Sequence, residues 1–159
     1  MDNLPLTAPC TIIRVAKTTS ALLPELTRLY QQFAAHEGHT TPISQFTDFV
    51  TARLADDTML AILAQIEGHA VGYALAFDVG NHPFIPNWER CGYLTNLFVM
   101  EAFQRRGIGH SLVDYTLMWL GERGVTRIML NVDVDNPAGE QFWHKQEFRP
   151  VLTRMKRML

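Results

Sequence analysis

The hydrophobic pattern of the chain changes period several times, and each change marks an element. Residues 11–16, TIIRVA, alternate in the manner of a strand. Leu22, Leu26, Leu29, Tyr30 and Phe33 then fall on one helical face, and Gly38 can end that helix in the left-handed conformation. Past Pro42, the spacing of Phe46, Phe49, Val50 and Leu54 predicts a second, shorter helix. MLAILAQ and AVGYALAF read as strands joined at Glu67 and Gly68, which predicts a hairpin. Residues 81–89 carry Pro83 and Pro86 and read as a loop. CGYLTNLFV is a strand, followed by a glycine-containing turn and a long helical pattern that ends near Gly124. TRIMLNVDV predicts a further strand, Asn136 an N-cap with Pro137 at the first helical position, and VLTRMKRML a last strand.

That order implies an α/β (α+β) fold in which a mixed sheet carries helices on its faces. The strand–helix–strand unit after residue 90 should be a right-handed parallel crossover. With 159 residues, 47% hydrophobic and 19% charged, the chain is expected to form one domain over 1–159 with a sizeable core. No apolar run reaches the length of a membrane span, and residues 1–10 show no basic-then-apolar signal pattern. A net charge of −2 argues against nucleic acid as a partner. Cys10 and Cys91 stand in no CxxC pattern, so free thiols in a reducing, cytoplasmic setting are expected. His36 and His39 lack the i, i+4 spacing of a helical zinc pair, and no metal is expected.

The turn QRRGIGH changes this picture from structure to chemistry. The first amides of a helix have no intrahelical partner, and the helix dipole is positive at that end. Gly107 and Gly109 remove the β-carbons that would hold a phosphate away from those amides, and Arg105 and Arg106 add positive charge. The combination suits a diphosphate. A Walker loop is excluded because no Gly-Lys-Ser/Thr follows, and a dinucleotide fingerprint because Leu112 occupies its third glycine. A turn serving structure alone is the competing reading of Gly-x-Gly.

The run Gln104-Arg-Arg-Gly-Ile-Gly109 matches Q/R-x-x-G-x-G/A and resembles the GNAT superfamily of acyl-CoA-dependent N-acyltransferases. NLFVMEAFQRRGIGHSLV looks like that family's fourth strand, pyrophosphate loop and following helix, and LNVDVDNPAGEQFWHKQEF like its fifth strand and next helix. The resemblance implies a three-layer fold, with a mixed, mostly antiparallel sheet of about six to seven strands and about four helices. It also implies that the fourth and fifth strands splay apart to form the coenzyme cleft. The backbone of Leu97 and Val99 would pair with the pantetheine arm as an added strand does. The amides of Gln104, Arg105, Arg106, Gly107, Ile108, Gly109 and His110 would take the pyrophosphate of acetyl-CoA, and Asn136 would lie near the far end of the arm.

Acyl transfer to an amine also needs an oxyanion donor, a base and a proton for the departing thiolate. The amide of Leu97 or Phe98 is the candidate oxyanion donor. Many family members carry a glutamate two residues before Leu97 and a tyrosine on the last helix. Here Thr95 and Trp143 stand at those places, and Glu147 replaces a common glycine. An indole does not ionise usefully, so packing against the coenzyme or the core is the expected role of Trp143. Asp133, Asp78 and Glu37 are substitute base candidates, each with a solvated surface role as the alternative. Tyr73 and Tyr93 read as core or sheet-face aromatics. The acceptor would be a small-molecule amine or a protein amino group, with no membrane partner, and pairing through the cationic tail at 154–157 would give a homodimer. The missing glutamate and tyrosine leave open a binding module that keeps the coenzyme site without turnover.

Overall fold

A computed structural model describes residues 9–38, 42–81, 89–153, 155 and 157. The expected loop over 81–89 falls largely outside these residues, as do His39, Arg154 and Lys156. Strand β1 (Cys10–Val15) is followed by a 3-10 segment (Lys17–Leu22) and helices α1 (Leu23–His36) and α2 (Ile43–Ala55). Strands β2 (Met59–Ile66), β3 (His69–Asn81) and β4 (Arg90–Val99) come next. A short 3-10 turn (Glu101–Phe103), helix α3 (Ile108–Glu122), strand β5 (Arg127–Met129) and helix α4 (Pro137–Lys145) complete the order. The strands lie in sequence order across one sheet, antiparallel from β1 to β4 and parallel between β4 and β5, with α3 as the crossover.

The two faces of the sheet are covered separately. Leu26, Leu29, Phe46 and Val50 of α1 and α2 pack with Val15, Ala61, Leu63 and Tyr73 on one face. Ile108, Leu112, Trp119 and Leu120 of α3 pack with Leu60, Ile62, Ala74 and Ala76 on the other. The alternation along β2 places successive residues in opposite clusters, as a two-sided sheet requires. Burying one such Leu, Val or Phe contributes roughly 1.5–3 kcal/mol, so helices on both faces are held by the sheet they cover. Gly92 sets the approach of α3. A β-carbon there would meet the Leu120 methyls at 2.8 and 2.9 Å.

Five strands form among the described residues, fewer than the six to seven expected. The shortfall lies in the expected last strand, and the strand before it is shorter than expected. The expected strand over 126–134 pairs only through Met129, and the described residues beyond 148 form no strand. Val151, Leu152 and Met155 are instead exposed. With β5 only three residues long, the sheet ends on a short ladder that gives the tail little to extend.

Candidate active site

The site begins where β4 stops being an interior strand. Cys91, Gly92 and Tyr93 pair with Arg127, Ile128 and Met129, and the β4–β5 pairing ends there. On the other side of β4, Leu75 faces Asn96 and Ala76 faces Leu94, so Thr95 is the extra residue of a β-bulge. The Thr95 hydroxyl donates to the Leu75 carbonyl at 3.2 Å. A bulge bends its strand and interrupts pairing, and here it sits two residues past the last β5 partner. The opening is a narrow cleft of about 140 Å³. Phe33, Glu37, residues 94–97, residues 130–133, Asn136 and Trp143 line it.

The edge of β4 facing the gap carries backbone groups in a defined order. Met100 N–H donates to the Val71 carbonyl at 2.9 Å, which sets the phase of the ladder. Residues in an antiparallel pair point alternately toward and away from the partner strand. Val99 and Leu97, opposite Gly72 and Ala74, therefore turn their amides and carbonyls away from β3, toward the side where β5 is missing. Phe98 turns its backbone groups toward Tyr73, so its expected use as an oxyanion donor fails on register. Its ring instead packs 6.2 Å from those of Phe33 and Tyr73. Gly72 keeps this end of the ladder closed up, because a β-carbon there would sit 2.8 Å from the Phe98 carbonyl oxygen.

The glycine turn follows directly. Gly107 adopts φ 78° and caps α3 without any side-chain bond, and the Gly107 carbonyl accepts from Ser111 N–H at 3.0 Å. Arg105 is also left-handed, at φ 62°, a conformation uncommon outside glycine. Among the described residues, none of the amides from 105 to 110 donates to a backbone carbonyl. The Gln104 amide departs from expectation, because it donates to the Glu101 carbonyl at 3.2 Å. Arg106 is folded back onto the turn, bonded to the Ala102 carbonyl at 2.7 Å and lying 4.9 Å over the Phe103 ring. A β-carbon on Gly107 would enter open space, whereas one on Gly109 would touch the Phe142 ring at 3.4 Å.

Helix α4 supplies the opposite wall. Asn136 caps it, its side-chain oxygen accepting from Gly139 N–H at 2.8 Å, which leaves the side-chain NH2 for other partners. Trp143 faces the cleft and packs edge-on to Phe142 and Phe148 at 4.9 and 5.4 Å. His110 ties the start of α3 to the end of α4 through Gln146 at 2.8 Å.

Of the three base candidates, Glu37 and Asp133 both line the cleft. Asp78 does not. It is buried at the far end of β3, paired with Arg90 and, at 3.4 Å, with Arg123. Burial opposes its charge, but the hydrogen bonds from Arg90 and the Gly80 amide outweigh this and hold its carboxyl below the usual range. A carboxylate so well satisfied is a poor proton acceptor. Tyr73 is fully buried, and among the described residues its hydroxyl has no partner. Burial, and then the neighbouring Tyr30, push its phenol far above the ordinary value, which disqualifies it as an acid. A larger surface groove of about 430 Å³ lies between α1 and α2, but its charged residue Arg28 is committed to Glu25 and the Ala70 carbonyl.

The sequence model of the Acetyltransferase (GNAT) family matches residues 23–148. Among curated proteins, an N-alpha-acetyltransferase of Sulfolobus acidocaldarius is 29% identical over 93 residues, 56% of this chain and 55% of that protein. GCN5-related N-acetyltransferase 7, chloroplastic, of Arabidopsis thaliana is 36% identical over 56 residues, 35% of this chain and 20% of that protein. The matches thus span about half, or less, of these relatives. A GCN5-related N-acetyltransferase from Ralstonia eutropha JMP134 superposes with TM-score 0.77 at 19% identity, covering 94% of this chain and 99% of that one. An aminoglycoside acetyltransferase from an uncultured soil metagenomic sample, solved with sisomicin, gives 0.76 at 18% identity, covering 94% and 96%. At these identities the likeness is one of fold.

Proposed function

The chain belongs to the acetyltransferase (GNAT) family, and on that premise we propose that it is an N-acetyltransferase carrying an acetyl group from acetyl-CoA to a primary amine. The observation that carries the reading is the free edge of Leu97 and Val99, which leads into the unpaired amides of the glycine turn. An amide-bearing arm adds to such an edge as a strand does, and a diphosphate fits the amides beyond it. Asn136 and Trp143 flank the arm, the one through its free NH2 and the other by packing.

In this reading the reaction is direct attack within a ternary complex. The neutral amine nitrogen forms a bond to the thioester carbonyl carbon, and the oxyanion that develops is held by the Leu97 amide. The carbon–sulfur bond then breaks and the thiolate leaves. We assign Asp133 to take the proton released by the attacking nitrogen, directly or through water. Glu37 attracts the acceptor. Trp143 cannot protonate the thiolate, so that proton comes from solvent. The carboxylates of Glu37 and Asp133, with no Lys, Arg or His among the described residues lining the cleft, favour an acceptor that keeps a positive charge, on a small molecule or a protein. The setting we assign is the reducing cytoplasm, which suits the free thiols of Cys10 and Cys91.

A specific observation favours a second reading, an acyl-CoA-binding module without turnover. Thr95, where many relatives carry a glutamate, spends its hydroxyl on Leu75, and Trp143 replaces the usual tyrosine. A thiol-release assay with acetyl-CoA and a panel of amines separates the two. Amine-dependent release of CoA is expected, with Asp133→Asn lowering kcat by about 100-fold. Binding of acetyl-CoA without release for any amine would leave the module reading.

A further inference from the structure

The Gln104 side chain has a role that its place in the glycine turn does not announce. Its amide, expected to face the diphosphate, is taken by the Glu101 carbonyl. Its carboxamide reaches back instead, and Nε2 donates to the Val99 carbonyl at 3.0 Å. That carbonyl is the last one on the free edge of β4, pointing away from β3. One hydrogen bond therefore joins the end of the strand edge to the first residue of the turn. The 3-10 segment also links them, with Phe103 and Ile108 packed in the core on either side of the turn and Arg106 bonded back to the Ala102 carbonyl.

We propose that Gln104 is a positioning residue that fixes the spacing between two subsites, the strand edge for an amide-bearing arm and the amide nest for a diphosphate. The inference rests on the donor site described above. A carbonyl oxygen has two acceptor sites, so the Val99 carbonyl can hold the Gln104 NH2 and still receive an N–H from an arm lying along the edge. Arg105, left-handed immediately after Gln104, starts the nest. If Gln104 lets go, the nest can drift relative to the edge, and a ligand spanning both must hold it in place from its own binding energy. A ligand that uses the edge alone is indifferent to the clasp.

The test compares CoA with pantetheine, which has the arm and lacks the diphosphate, by titration into wild-type protein, Gln104→Met and Gln104→Arg. Methionine keeps the length and loses the donor, while arginine retains donors able to reach the carbonyl. Gln104→Met should raise the Kd of CoA by about 3- to 10-fold, the worth of one hydrogen bond, and leave that of pantetheine within about twofold. Gln104→Arg should restore CoA binding. Equal losses for both ligands would show a general structural role, and no loss for CoA would show no role; either overturns the proposal. Wild-type protein that takes no CoA would instead sink the donor-site reading itself.

Discussion

The two halves of β4 share one strand and have opposite environments. Within Arg90 to Leu94, residues Cys91 to Tyr93 lie between β3 and β5, Cys91, Gly92 and Leu94 are buried, and α3 is seated on Gly92. Its start is fastened by Asp78, which holds Arg90 and Arg123. From Thr95 to Val99 one side remains in the β3 ladder and the other faces a gap. The hinge between the halves is a single inserted residue, Thr95. The closed half spends its backbone on the fold, whereas Leu97 and Val99 of the open half turn their amides and carbonyls away from the β3 ladder.

The largest expected effect comes from closing the nest at the end of the open half. Gly107→Glu adds a carboxylate where the diphosphate would sit, and should weaken CoA binding by about 100-fold or more. A β-carbon there meets nothing within 4 Å, so the folded protein should survive with the cost of a left-handed non-glycine residue, about 1–2 kcal/mol. Titration calorimetry and a thermal melt check the two parts. Next come two glycine-to-alanine changes, one in contact with each half. Gly72→Ala pushes on the Phe98 carbonyl and displaces the open edge, so CoA affinity should fall by about 10-fold. Gly92→Ala presses on buried Leu120 and should cost about 1–3 kcal/mol of stability while CoA affinity stays within about twofold. If both changes affect stability and binding alike, the halves are not separate.

Acid should loosen the closed half first. Asp78 and Asp57 have carboxyls held below their ordinary values. For Asp57 the chief causes are hydrogen bonds from Arg123 and Arg14. Their contribution is complete above the unfolded value of about 3.8 and disappears as pH falls through the lower folded values. Asp78→Asn should therefore lose about 1–2 kcal/mol at neutral pH and show a shallower loss below pH ~4 in denaturant titrations. The smallest effect is expected beside the open half. Tyr73→Phe removes a buried hydroxyl that has no partner among the described residues and should raise the melting temperature by about 2–4 °C, with CoA binding unchanged.

The two halves were also unequally legible. The Glu67-Gly68 hairpin, the Gly38 stop and the Asn136-Pro137 start each rest on a local conformational need, and the structure has all three. The glycine turn was legible for the same reason, since Gly107 is left-handed where the helix begins. The bulge at Thr95 has no such signature. CGYLTNLFV reads as continuous strand, and the extra residue emerges only when β3 is laid beside it. The direction of the Phe98 amide depends on that register, and so was missed. Asp78 looked like a free strand-end acid because its arginine partners are 12 and 45 residues away. The apolar alternation over 126–134 continues past Met129, but the pairing does not, because the bulge turns β4 away beyond Tyr93. Gly72, which lets β4 close on β3, carried only the weak signal of a glycine inside a strand pattern.

Amide hydrogen exchange, read residue by residue with and without CoA, tests the open half most directly. The account predicts slower exchange at Leu97, Val99 and residues 105–110 when CoA is added, with Cys91 to Leu94 unchanged. Bound CoA that leaves Leu97 and Val99 exchanging as before would contradict it.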